Sequence, residues 1–111
     1  MSAQHLDMEA LAQLKLIMGD DFETLKQTFE RDSVVRIQSI KNALSGGNPD
    51  DIRRAAHSFK GSASNMGAPR LTELCRTLEE RGRRGETGCC DGLLQQIEAE
   101  YHNVRQALID V

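Results

Sequence analysis

His57 is followed within four residues by Lys60 and Gly61, in the run Ala55-Ala56-His57-Ser58-Phe59-Lys60-Gly61-Ser62-Ala63. The reference pKa of an imidazole is about 6.5, so near neutral pH one ring nitrogen is unprotonated and can act as a nucleophile. Attack on a phosphoryl donor would leave close to two negative charges on the ring. Lys60, one helical turn on, would offset part of that charge, by about 1 kcal/mol for solvent-facing groups and less in salt. In a helix advancing about 100° per residue, Arg53, Lys60, Gly61 and Ser64 fall within roughly 60° of the direction in which His57 projects. Ile52, Ala55, Phe59, Ser62 and Met66 fall on the far side. Glycine on an exposed helix face costs about 0.5–1 kcal/mol relative to alanine, so its presence beside His57 predicts the close approach of something large. Ser64 can donate a hydrogen bond to an incoming carboxylate or phosphate. A lone histidine on an amphipathic helix is equally an ordinary surface residue, and spacing alone does not separate the two.

The elements that must position these groups are helical almost throughout, because apolar residues recur at three- and four-residue spacing and nowhere alternate for long. Leu6 to Met18 reads as a short helix carrying Leu11, Leu14 and Ile17 or Met18, ended by Gly19. Asp20-Asp21 can cap a long second helix striped by Phe22, Leu25, Phe29, Val34, Ile37, Ile40 and Leu44. Asn48 and Pro49 open the His57 helix, with Asp50 and Asp51 in its first turn, and Asn65-Met66-Gly67 closes it. Pro69 opens a fourth helix with Leu71, Leu74, Cys75 and Leu78, expected to stop at Gly82. A basic, glycine-rich turn then leads to a last helix bearing Leu93 or Leu94, Ile97, Tyr101, Val104 and Leu108. Long helices with short connections pack most simply as an all-α, antiparallel four-helix bundle, with the short first helix laid across one end.

At 111 residues the chain is one domain, spanning 1–111, and its 28% charged and 39% hydrophobic residues are ordinary for a soluble globular protein. No apolar run approaches the roughly 18 residues of a membrane span and no signal-peptide layout opens the chain, which predicts a cytoplasmic protein that does not bind membranes. The net charge of −3 conceals an asymmetry: seven acidic against three basic residues from Met1 to Asp32, and eight basic against three acidic from Arg53 to Arg84. A basic middle region suits nucleic acid, an anionic protein surface or a phosphoryl group. With 4% aromatic residues and no Trp, stacking on bases is disfavoured and no nucleic-acid partner is expected.

The run His57-Ser58-Phe59-Lys60-Gly61-Ser62-Ala63, with Asn65, Gly67-Ala68, Leu71, Leu74-Cys75, Leu78-Glu79 and Gly82, closely resembles the signature of histidine-containing phosphotransfer domains, the HPt modules of multistep phosphorelays. The resemblance implies a four-helix bundle with a small N-terminal helix. It implies that His57 is the phosphorylated residue, that Lys60 steadies the phosphoryl group and that Gly61 lets the partner dock. Ser62 matches the small residue that lets this helix pack closely, and Ala63 departs from a second serine common in relatives. The partners implied are receiver domains of hybrid sensor kinases and of response regulators. The chain would be a phosphocarrier with no ATP-dependent kinase activity and no cofactor of its own, in keeping with its lack of a P-loop or glycine-rich nucleotide fingerprint. Magnesium would come from the receiver's acidic pocket, and no carboxylate cluster is expected around His57. A sensor-kinase dimerisation domain would place an acidic residue directly after the histidine and a proline a turn on, where Ser58 and Gly61-Ser62 stand here.

Arg53 and Arg54, on the histidine's side of the helix, are candidate partner contacts with Ser64, steering an acidic receiver pocket into place. The alternative from a different class is a non-catalytic helical adaptor, and the chain is expected to be a monomer. Cys75, on an apolar stripe, reads as a buried structural thiol. Cys89 and Cys90 read as loop thiols, without the spaced ligands of a metal site. His5 falls in a terminal segment expected to fray, and His102 reads as a surface or boundary residue.

Overall fold

Helix boundaries in the computed structural model follow from local chemistry, and the structure describes residues 5–88 and 90–111. Helix α1 spans Met8–Met18, α2 Phe22–Gly46, α3 Pro49–Asn65, α4 Pro69–Arg84 and α5 Asp91–Ile109; a 3₁₀ turn, Gly19–Asp21, joins α1 to α2. Asn48 caps α3: its Oδ1 accepts from the backbone N–H of Asp50 at 2.9 Å and of Asp51 at 3.3 Å, with Pro49 in the first turn. Helix α2 stops where Gly47 takes φ +72° and its N–H returns to Ala43 O at 3.0 Å. The four long helices pack in a ring, α2 on α3, α3 on α4, α4 on α5 and α5 back on α2. Among the described residues there is no strand.

Several boundaries and faces differ from the sequence expectation. Helix α1 begins at Met8, after the Asp7 carboxylate, which accepts from Ala10 N–H at 3.1 Å. Leu6 is buried ahead of the helix, while Ile17 is 81% exposed and Met18 takes the inner position. Asp21 makes no side-chain cap to α2, because the 3₁₀ turn carries the chain into the helix already wound. In α2 the buried position is Ser33, and Val34 is 61% exposed. Position 33 lies four residues from both Phe29 and Ile37, at the centre of the stripe, and its hydroxyl is satisfied by donating to Phe29 O at 2.6 Å.

Helix α4 runs past Gly82 to Arg84, and Gly85, at φ +73°, is its cap. Gly82 serves packing instead. A Cβ there would lie 2.8 Å from Arg53 N and 2.9 Å from Pro49 O, so the backbones of α3 and α4 meet where only glycine fits. Ser62, expected to let α3 pack closely, is half-buried between α2 and α3, and the fully buried small residues of α3 are Ala56 and Ala63. Phe59 fills the centre with Ile40, Ile52, Leu71, Leu78, Ile97 and Val104, and meets the Tyr101 ring edge-on at 6.4 Å between centroids.

Candidate functional site

The ring of His57 stands out from α3 with 64% of its side chain exposed, but its Nδ1 is anchored. Glu79, on α4 and 22 residues along the chain, places Oε2 2.7 Å from that nitrogen. The same carboxylate accepts from Lys60 Nζ at 2.6 Å through Oε1, and Arg83 Nη2 lies 3.7 Å from Oε2. The close α3–α4 contact at Gly82, one turn after Glu79, brings these groups together.

Glu79 keeps only 6% of its side chain exposed. Burial pushes its carboxyl up, but the hydrogen bonds from Lys60 and His57, with their charges, outweigh this and hold it below the ordinary carboxylate range. Glu79 is therefore ionised at neutral pH and is an acceptor only. The proton between it and the ring belongs to His57 Nδ1, so in the neutral ring the lone pair lies on Nε2. The constellation fixes the tautomer and leaves one accessible nucleophilic nitrogen.

Among the described residues a single carboxylate, Glu79, contacts the His57 ring; the resemblance named it only as part of the family pattern, with no role at the site. Its charge is offset by Lys60 and Arg83 and met by the His57 ring. A sequence signal existed, since Glu79 lies four residues from Cys75 and eight from Leu71, on the apolar stripe of α4.

Gly61 lies beside His57 with no atom within 4 Å of where a Cβ would stand, so the space above it is open. It lines a groove of about 410 Å³ between α2 and α3 with Leu25, Phe29, Arg36 and Asn65. The Arg36 guanidinium donates to Ser58 Oγ across that groove. Arg53 and Arg54 both pair with Asp50, each at 2.9 Å, so their charge is partly met within α3. The Arg53 hydrogen bond, with the charges of both arginines, holds the Asp50 carboxyl below its usual value. Ser64 is exposed near the end of α3, beside α1 residues Gln13, Leu14 and Ile17.

Cys75 is buried in the core; burial first, then the Glu79 charge, pushes its thiol up to about 12. Cys90 is also buried, at the turn before α5, with its Sγ 3.7 Å from Glu86 O. The expectation for Cys89 lies outside the described residues. His102 is exposed on α5, as expected. His5 is not frayed: its Nδ1 lies 2.7 Å from the buried Glu100 Oε2. Among the described residues no three His, Cys, Asp or Glu side chains lie together to hold a metal ion.

Comparison with known proteins agrees with this geometry. The family model described as the Hpt domain matches residues 24–107. The crystal structure of histidine-containing phosphotransfer protein B (HptB) from Pseudomonas aeruginosa PAO1 is similar at a TM-score of 0.93 and 43% identity, over 98% of this chain and 95% of that one. Histidine-containing phosphotransfer protein 4 of Arabidopsis thaliana is 32% identical over 88 residues, 78% of this chain and 69% of its own length. Histidine-containing phosphotransfer protein 2 of the same plant is 31% identical over 111 residues, covering 93% of this chain and 70% of the relative. A buried carboxylate orienting an exposed histidine on a helical bundle, and a family model spanning most of that bundle, give one result: the chain belongs to the Hpt domain family.

Proposed function

We infer that this chain is a phosphotransfer intermediate of a phosphorelay, and that His57 Nε2 carries the phosphoryl group. The observation that supports this assignment is the 2.7 Å contact from Glu79 to Nδ1 of a His57 side chain that is 64% exposed, an arrangement that favours the neutral tautomer with its lone pair on Nε2. The Nε2 lone pair attacks the phosphorus of a receiver's aspartyl phosphate. The N–P bond forms as the acyl P–O bond breaks, and the aspartate leaves as a carboxylate. The Nδ1 proton stays on the ring, where Glu79 stabilises the positive charge that develops. Transfer onward reverses these steps with a second receiver aspartate.

Lys60 and Arg83, both held at the Glu79 carboxylate that meets the ring, offset the charge of the bound phosphoryl group. Gly61 leaves room for the receiver, and Arg53, Arg54 and Ser64 are the partner contacts proposed around it. Partners are receiver domains of hybrid sensor kinases and of response regulators, each met by a monomeric chain. Magnesium belongs to the receiver's acidic pocket, since hard oxygen ligands suit it, and this chain needs no cofactor and no ATP. Neither nucleic acid nor a membrane is a partner, and the working compartment is the cytoplasm. Among the described residues no helix is long and apolar enough to cross a membrane.

Incubation of the parent and of His57→Ala with a phosphorylated receiver domain tests the assignment. Label should pass to the parent, disappear on acid treatment and be absent from the variant. Equal labelling of the two proteins would overturn it.

A further inference from the structure

The two charged residues buried among those described are Glu79 and Glu100, and each turns its carboxylate to a histidine. Glu79 Oε2 lies 2.7 Å from His57 Nδ1, and Glu100 Oε2 lies 2.7 Å from His5 Nδ1. In both cases the other carboxylate oxygen faces a cation, Lys60 at 2.6 Å and Arg70 at 3.6 Å. Asn103 Nδ2 also donates to Glu100 Oε1, at 3.4 Å.

His5 is held in place by its neighbours in sequence. Leu6 is buried, and the Asp7 N–H donates to Gly67 O at 2.7 Å, which seats the segment against the turn between α3 and α4. The Asp7 carboxylate is occupied by Ala10 N–H, as the cap of α1. The His5 side chain nevertheless keeps 40% of its surface exposed. A desolvated carboxylate facing Nδ1 holds the ring proton there and leaves the lone pair on Nε2. The contact at Nδ1 seen at His57 thus recurs at His5, with the cation farther off.

We propose that His5 is a second phosphoryl-accepting nucleophile of this chain, charged at Nε2 by a small activated donor of the phosphoramidate class. The N–P bond to the ring forms as the donor's own P–N bond breaks, and ammonia leaves with the electron pair. The ring keeps its Nδ1 proton against Glu100, and Arg70 offsets the charge gained. The site is independent of His57 and rests on its own contacts.

The test is labelling of the full chain and of His57→Ala with phosphoramidate, read residue by residue by mass spectrometry under alkaline conditions. His102, exposed and without a hydrogen bond or ion pair among the described residues, is the internal reference for an unsupported imidazole. His5 should label about tenfold faster than His102 in both proteins, the scale on which orienting partners act. Glu100→Gln should bring His5 toward the His102 rate and leave His102 unchanged. Equal rates at His5 and His102 in the parent would overturn the proposal, and that ratio decides the matter even if Glu100→Gln loses helix content.

Discussion

Glu79 and His57 lie 22 residues apart in the chain and 2.7 Å apart in space, joining a buried carboxylate to an exposed ring. The pair spans α3 and α4, so the reactivity of the histidine depends on how those helices meet. Removing the carboxylate should therefore slow phosphotransfer without unfolding the bundle. Glu79→Ala is expected to lower the rate about ten- to a hundredfold, by analogy with the loss of a group orienting a metal-bound histidine. Glu79→Gln keeps an acceptor but not the charge and should fall between. Rapid-quench transfer from a labelled receiver, with circular dichroism as the folding control, measures both; parental rates in the alanine variant would contradict the tautomer assignment.

The same carboxylate makes stability depend on pH with a definite sign. Its folded-state value is lowered from the ordinary 4.5, so the unfolded chain binds the proton more readily. Its contribution is fully present above the unfolded value and is lost as pH falls through the lower folded one. Urea midpoints of the parent and Glu79→Gln should differ most near neutrality and converge as pH drops below that ordinary value. A gap that widened on acidification would reverse the sign and refute the account.

Variants at Gly61 test docking apart from folding. Nothing stands within 4 Å of a Cβ at this position, and replacing a helical glycine with alanine gains about 0.5–1 kcal/mol. Gly61→Ala should raise the melting temperature, whereas Gly61→Gln should keep the helix content and block transfer from a receiver. Normal kinetics in the glutamine variant would remove the docking role.

Gly82 predicts the opposite balance. A methyl group there would meet the backbone of Arg53 at 2.8 Å and of Pro49 at 2.9 Å, and backbone cannot step aside as a side chain can. Gly82→Ala should destabilise the protein by about 1–3 kcal/mol and slow transfer as well, by displacing Glu79 from His57. Thermal melts and transfer rates on the same sample give both numbers; an unaltered melting temperature would show that the helices separate at little cost.

Most of the fold was legible because helical periodicity survives in every segment. The departures are instructive. Ser33 replaced Val34 in the core of α2 because a serine can satisfy its hydroxyl on Phe29 O, which hydropathy alone does not register. Gly82 reads as a stop signal because glycine marks helix ends more often than tight helix crossings. His57, Lys60 and Gly61 were visible as neighbours on one face. Glu79 and Glu100 were not seen as site residues, since their partners lie 22 and 95 residues away. The clue was their place on apolar stripes, Glu79 beside Leu78 and Glu100 between Ile97 and Val104.

Cys75 sits one helical turn before Glu79, with its thiol pushed up to about 12. The deprotonated sulfur is the form that reacts with peroxides, disulfides and electrophiles, and at neutral pH almost none is present here. A soft nucleophile one turn from the carboxylate that meets His57 is thereby held in its protonated, slow-reacting form.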